Sequence, residues 1–292
     1  MSDFGAVLPP SPRDVRSIVR RALEEDLPWG DLTTETLVPV DIQTIGRFLI
    51  KEAGIICGLD VAALVFGELD PSLQFESAVR DGARVAPGDV VAEVDGAARS
   101  ILMGERTALN LMQRMSGIAT TTARYVDAIK GSGATIVDTR KTVPGLRLLD
   151  KYAVRCGGGS NHRFSLSDGV LVKDNHLAAI QKGSRDSLVA RLQAARRSIP
   201  HTVKIEVEVD HLDQIESALA GGADIILLDN MAPVELRQAV ALVAGRALTE
   251  ASGGITLDSV CAVARSGVNL ISVGALTHSV RALDISLDLV TA

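Results

Sequence analysis

The chain has 292 residues, enough for one large domain or two ordinary ones. Its 47% hydrophobic and 23% charged residues give the balance of a soluble globular protein, and its net charge of -6 makes it a poor general nucleic-acid binder, which needs clustered Lys and Arg, although a few cations in one cleft can still capture an anion. No apolar run approaches the ~20 residues of a bilayer span, and Met1–Pro12 lacks the basic-then-apolar order of a signal peptide, so a cytoplasmic protein with no membrane partner is expected.

In chain order, Val15, Ile18, Val19, Ala22 and Leu23 recur at helical spacing and predict a helix over 13–28, closed by Pro28. Gly30-Asp-Leu-Thr-Thr34 reads as a polar turn. Short strands follow at 44–51, 54–58 and 90–94, with turns at Asp81-Gly82 and Pro87-Gly88 and a helix near 59–69. The 81–96 stretch looks superficially like the hairpin of a biotin or lipoyl carrier. No Lys lies between Lys51 and Lys130 to serve as the attachment point, so it is read as an ordinary hairpin. Residues 104–129 read as a helix with Ala108, Leu109, Leu111, Met112, Met115 and Ile118 on one apolar face. That helix is the natural boundary between a first module, 1–115, and a second, 116–275. The tail 276–292 is a candidate to fold back on the first.

The second module alternates strands and helices. Strands are expected at 135–139, 169–173, 203–209, 224–229, 247–251 and 270–274, with helices at 184–198, 212–220, 233–243 and 257–266. This is the pattern of parallel βαβ units, in an α/β protein. Aromatic residues are only 3%, and a core of Ala, Val, Leu and Ile suits parallel strands covered by helices. Six strands in about 140 residues fall short of an eight-fold barrel of about 250. An incomplete barrel fits better. An open doubly wound sheet is the alternative, although no GxGxxG follows any strand.

Ligand sites in such folds lie at the carboxyl ends of the strands. Here the first two strands end in cations (Arg140 and Lys141; Lys173), beside Asp138, Thr139, Asp174, Asn175 and His176. The third carries Glu206 and Glu208, and the fourth ends in Asp229 and Asn230. The fifth runs through Glu250 into Ser252-Gly-Gly254, and the sixth ends at Gly274. Polar residues end strands in any protein. The ordered change from cations to carboxylates to glycines describes a ligand: a polyanion, ribose hydroxyls or Mg²⁺ on hard oxygens, and a phosphate cradled by backbone amides. Between the first two strands, Lys151 to Arg163 holds three successive glycines and reads as a tight or mobile loop ending in His162 and Arg163.

Other chemistries find no support. Cys57, Cys156 and Cys261 are odd in number and form no CxxC, so reduced thiols are expected rather than a disulfide framework or a zinc site. There is no HExxH and no GxSxG. His162 could act as metal ligand, general acid or hydrogen-bond donor, whereas His201, His211 and His278 are given no role.

Asp138-Thr-Arg-Lys-Thr-Val-Pro-Gly-Leu-Arg147, Lys151-Tyr-Ala-Val-Arg155, Gly157-Gly-Gly-Ser-Asn-His-Arg163 and Leu171-Val-Lys-Asp-Asn-His176 resemble the signature of the quinolinate phosphoribosyltransferases. Glu206-Val-Glu-Val209, Leu227-Leu-Asp-Asn230, Ala251-Ser-Gly-Gly254 and Val273-Gly-Ala-Leu-Thr-His278 continue the match, as do Glu105-Arg-Thr-Ala-Leu-Asn110 and Ser116-Gly-Ile-Ala119 upstream. Nearly the whole chain is covered, with Met1–Pro12 a loosely matching extension.

The resemblance implies an N-terminal α/β sandwich plus an incomplete, roughly six-stranded parallel barrel. It also implies conversion of quinolinate and phosphoribosyl pyrophosphate to nicotinate mononucleotide, pyrophosphate and CO₂ in NAD biosynthesis. Mg²⁺ and no organic cofactor would be used, in a homodimer with shared sites. It carries quinolinate contacts onto Arg106 (from the partner), Thr139, Arg140, Lys141, His162, Arg163 and Lys173. Ribose, Mg²⁺ and transition-state roles fall on Glu208 and Asp229. The 5′-phosphate falls on Ser252, Gly253, Gly254, Val273, Gly274 and Ala275. A related pyrophosphorylase-like family found with molybdate transport is the nearest rival; it should lack part of this cation set, and this chain keeps all of it. A non-catalytic effector-binding protein on the same scaffold would need neither Glu208 nor Asp229. No protein nucleophile is required, because the pyridine nitrogen attacks; positioning and electrostatics suffice.

Overall fold

A computed structural model describes residues 7–183 and 187–290. In chain order it comprises α1 (Pro12–Asp26), α2 (Leu32–Leu37), β1 (Gln43–Ile50), β2 (Gly54–Ile55), α3 (Leu59–Leu69), β3 (Gln74–Ser77), β4 (Arg84–Val85), β5 (Val90–Ala97) and the long α4 (Ala98–Ala128). There follow β6 (Thr135–Val137), α5 (Arg147–Cys156), β7 (Val170–Val172), α6 (Asp174–Gly183), α7 (Leu188–Ser198), β8 (Ile205–Val209), α8 (Ile215–Ala220), β9 (Ile225–Asp229) and α9 (Pro233–Val243). The chain closes with β10 (Leu248–Ser252), α10 (Leu257–Ala264), β11 (Leu270–Ser272), α11 (Ala275–His278) and β12 (Ile285–Leu289).

Two compact units divide the chain. The first is Met1–Ala123 with Thr142–Gly158 and Leu276–Ala292; the second is Arg124–Lys141 with Gly159–Ala275. The division thus falls within α4, past the 115/116 boundary read from the sequence, and the first unit also takes 142–158 from the expected barrel segment.

In the first unit an antiparallel sheet runs β12-β1-β5-β3, beside a two-stranded β2-β4 pair. Its core holds Phe48 and Phe66, edge to face at 6.1 Å, with Phe75 against both. The tail's β12 pairs with β1, Gly46 opposite Leu289. The expected polar turn at 30–34 is instead the cap of α2. Asp31 accepts from the Thr33 and Thr34 amides at 3.0 and 3.1 Å, satisfying donors that would otherwise leave the first helical turn open. Helix α4 begins six residues earlier than expected, because β5 passes into it with no intervening turn residues.

Residues 142–158 belong to this unit for a physical reason. Asp150 of α5 is fully buried and takes a bidentate pair from Arg114 of α4 (2.9 and 2.8 Å), while the same guanidinium donates to the Thr277 carbonyl at 3.1 Å. One ion pair thus ties three separated chain segments. Asp150→Ala would leave Arg114 without its charge partner and is expected to destabilise the chain by about 3–5 kcal/mol. A lowered urea midpoint with unchanged slope would show it; a midpoint equal to the parent's would refute it.

Helix α5 also corrects the reading of Lys151 to Arg163 as one loop: its first six residues are helical, and Lys151 is almost fully buried. The glycine run that follows is tightly packed at its first position. A Cβ on Gly157 would strike the Ala119 carbonyl and the Thr122 side chain of α4, so only glycine permits that approach. The same helix brings Cys156 to Cys57 and Asp81, their ligating atoms all within 4.8 Å of one another. Sequence spacing gave no sign of this. Asp81 is already committed, however. It caps α3 through the Gly58 and Leu59 amides and accepts from the Tyr152 hydroxyl at 3.1 Å, while burial pushes the Cys57 thiol pKa well up.

The second unit is one six-stranded sheet in the order β6-β11-β10-β9-β8-β7, every neighbouring pair parallel. This is the sequence order of a barrel, opened between β6 and β7. A doubly wound sheet would reverse its order partway across, so the incomplete barrel is the correct architecture. All six expected strands are present, shorter by one or two residues at most ends. The strand β8 is buried at every position, as a parallel strand covered by helices should be. The helix expected over 184–198 is α7, from Leu188; residues 184–186 lie outside the described residues, as do 1–6 of the N-terminal extension. The sequence reading missed α6, which starts directly at Asp174 after β7.

Candidate active site

The residues that the sequence places at the strand ends, from Thr139 to Ala275, all fall in the second unit. Thr139 and Arg140 follow β6 and are half-buried; Lys141 is exposed, its amide donating to the Thr139 hydroxyl at 3.0 Å. Arg163 is half-buried and donates to the Gly169 carbonyl at 2.9 Å. Burial first, and then the neighbouring Arg140 charge, hold the Arg163 guanidinium below its ordinary pKa, with Glu206 and Asp168 opposing. Two like charges have been brought together, and the buried Nε of Arg140 has no hydrogen-bond partner among the described residues. Such a pair is unfavourable alone and favourable around a dianion.

Lys173 follows β7. Its Nζ meets Glu208 Oε2 at 2.7 Å, so the cation side and the carboxylate side of the rim are joined. His176, four residues into that end, accepts the Lys173 amide on Nδ1 at 3.0 Å. Glu208 is buried on β8 and lies opposite Leu227 of β9; Asp229, two residues further, closes β9 and accepts from Asn230 at 2.6 Å. Residues two apart on a strand share a face, so both carboxylates project to the same side of neighbouring strands about 5 Å apart.

Ser252 pairs in register with Asp229. Gly253 (φ +93°) and Gly254 (φ +58°) then turn the chain. A side chain at Gly253 would collide with Asn230, which itself sits at φ +54° with its amide bonded to the Ser252 carbonyl at 2.9 Å. The Val273 amide donates to the Val137 carbonyl at 3.0 Å, and Gly274 and Ala275 lead into α11. Arg106 is on α4 in the first unit and is exposed.

Beneath this rim lies a layer the sequence reading counted as rim charge. Asp138, Glu206 and Glu250 are all buried, at 0%, 4% and 1% exposure. Glu206 and Glu250 come from β8 and β10 and Asp138 directly follows β6, alternate strands in barrel order, which is how a single interior layer is built. Asp138 accepts from Asn161 Nδ2 at 2.7 Å and the His162 amide at 2.8 Å. His162 Nε2 faces Glu206 at 3.1 Å and Glu250 at 3.6 Å. Burial, and then the Glu206 charge, push the Glu250 carboxyl up to about 7, against the pull of His162 and Ser272. The signal was present in Ile205-Glu-Val-Glu-Val209: the carboxylates alternate with the apolar residues, so one face of a fully buried strand is acidic.

Two family models match in tandem: "Quinolinate phosphoribosyl transferase, N-terminal domain" over 31–116 and "Quinolinate phosphoribosyl transferase, C-terminal domain" over 118–288. The chain belongs to the quinolinate phosphoribosyltransferase family. Relatives in the family include the nicotinate-nucleotide pyrophosphorylase [carboxylating] of Mycobacterium leprae, 47% identical over 94% of this chain and 96% of its own length. The probable enzyme of that name in Bacillus subtilis is 43% identical over 94% and 93%. Among solved structures, NadC from Streptococcus pyogenes superposes with a TM-score of 0.91 at 40% identity, covering 97% of this chain and 99% of that one. A human nicotinic acid phosphoribosyltransferase, at 14% identity and a TM-score of 0.52, shares the fold alone.

Proposed function

We propose that this chain joins quinolinate to the ribose of phosphoribosyl pyrophosphate and releases pyrophosphate and CO₂, giving nicotinate mononucleotide for NAD biosynthesis. The observation that carries this reading is the juxtaposed Arg140 and Arg163, with Lys173 nearby on Glu208. That arrangement suits a rigid dianion next to a ribose.

In this reading Thr139, Arg140, Lys141, Arg163 and Lys173 receive the two carboxylates, with Arg106 of the partner subunit closing the pocket and His162 at its floor. Glu208 and Asp229 face the ribose. Ser252 to Gly254 and Val273 to Ala275 offer backbone groups to the 5′-phosphate. The pyridine nitrogen donates its pair to the anomeric carbon as the bond to pyrophosphate breaks, and the two carboxylates stabilise the positive charge that builds on the sugar. The 2-carboxylate then leaves as CO₂. Its electron pair stays on the ring carbon beside the positive nitrogen until a proton replaces it.

Two hard carboxylate oxygens on adjacent strand ends are donors that fit Mg²⁺, so Glu208 and Asp229 would hold it with the substrate. When bound, it neutralises the departing pyrophosphate. We read the working form as a cytoplasmic homodimer with shared sites, with assembly beyond the dimer left open. Among the described residues no helix is long and apolar enough to cross a membrane.

The test is product formation. Quinolinate, phosphoribosyl pyrophosphate and Mg²⁺ should yield nicotinate mononucleotide, pyrophosphate and CO₂ in equal amounts. Nicotinate should be poorer by at least roughly a hundredfold in kcat/KM, since it leaves desolvated cations unpaired. Comparable turnover of the two acids would sink the dicarboxylate reading.

A further inference from the structure

His162 is bonded in a way that fixes its tautomer. Its Nδ1 accepts the Arg163 backbone N–H at 2.7 Å and therefore carries no proton. The proton sits on Nε2, which points down to Glu206 Oε2 at 3.1 Å, with Glu250 Oε1 at 3.6 Å beside it. The amide of His162 is held by Asp138 at 2.8 Å. Both ring nitrogens and the backbone are thus tied to protein groups. The tie runs from the barrel interior to the peptide that carries Arg163.

Glu206 is 4% exposed, and its second oxygen, Oε1, is buried without a hydrogen-bond partner among the described residues. Leaving a carboxylate oxygen so placed is costly unless the group does something there. A neutral Gln or an apolar residue would fill the layer at lower cost. What Glu206 does is orient the imidazole.

We propose that Glu206 is a positioning residue for quinolinate recognition: it holds His162 as the Nε2–H tautomer, and through His162 Nδ1 it fixes the Arg163 backbone and so the aim of the Arg163 guanidinium. Glu250 flanks the same proton from β10. This rests on the proposed reaction for the meaning of Arg163. The tautomer and its dependence on Glu206 stand apart from that reading. Glu208, two residues along the same strand face, serves the ribose. The two carboxylates of one strand therefore divide the site, the deeper one acting on the acid-binding end only.

The test uses the full chain with ¹⁵N-labelled histidine. Its five His give five ring systems, and His162→Asn identifies the relevant one by loss. Wild type should show the Nε2–H form. In Glu206→Ala the ring loses its anchor at Nε2, so Nδ1 should slip from the Arg163 N–H and the proton should redistribute between the ring nitrogens. Calorimetry should show quinolinate bound roughly tenfold or more weakly, with phosphoribosyl pyrophosphate within about twofold. Glu206→Gln keeps an oxygen that can accept from Nε2–H, and should restore the tautomer and most of the affinity.

The proposal is overturned if Glu206→Ala, with an unchanged melting temperature, binds quinolinate normally or loses both substrates equally. It is also overturned if Glu206→Gln is as damaged as Glu206→Ala, since charge rather than position would then be at work. Should Glu206→Ala fail to fold, Glu206→Leu, which fills the layer without an acceptor for Nε2–H, decides by the same measurements and against the same outcomes. Wild type that shows the tautomer and makes no nicotinate mononucleotide would sink the reaction and leave the positioning intact.

Discussion

Asp229→Asn is expected to lower kcat by roughly 10²–10³-fold, the scale of losing one preorganised charge opposite a developing one. The substitution is nearly isosteric. Asp229 is half-buried at the end of β9, pairs in register with Ser252, and accepts from Asn230 at 2.6 Å. An amide oxygen can still accept that bond, so the strand end should keep its shape. What it loses is the negative charge that the proposed reaction sets against the ribose as the bond to pyrophosphate breaks. Quinolinate, which the proposal places on Arg140, Arg163 and Lys173, should bind with little change. Single-turnover kinetics with calorimetric titration of quinolinate separates the two effects. Loss of quinolinate binding with normal turnover per bound enzyme would remove Asp229 from the ribose subsite.

The second large effect concerns Arg106, exposed on α4. If it completes the site of the partner, Arg106→Ala and Lys173→Ala are each inactive as homodimers and yet complement one another. A hybrid dimer carries both lesions in one site and neither in the other. Chains with two different affinity tags, co-expressed and purified over both, should therefore recover about half the wild-type activity per dimer. The physical reason is desolvation: a second surface excludes water from the cation cluster and strengthens each contact with the dianion. Hybrid dimers confirmed by mass and still inactive would assign Arg106 to its own chain or to no site.

Particular residues show how far the sequence could be read. The six barrel strands were legible because each is a short apolar run ending in polar residues, and the run of types along those ends pointed to an anion, a ribose and a phosphate. Helix α5 was not legible, because the conspicuous glycines after it drew the whole stretch into a loop. The turn at Gly30–Thr34 was seen as polar, but its capping role depended on where Asp31 points. The layer of Asp138, Glu206 and Glu250 was counted as rim charge for a similar reason: a carboxylate near a strand end reads as exposed unless the depth of the barrel is known.

Local pattern and motifs of fixed spacing carry the family, the parallel α/β character of the second unit and the residue types at its rim. The sheet order, a barrel opened between β6 and β7, comes from three-dimensional packing, which makes neighbours of strands far apart in the chain. Packing alone brought Arg114, Asp150 and Thr277 into one network. It alone turned His162 inward onto Glu206. The direction of a side chain and the depth at which it is buried are properties of the assembled layers, and no spacing along the chain encodes them.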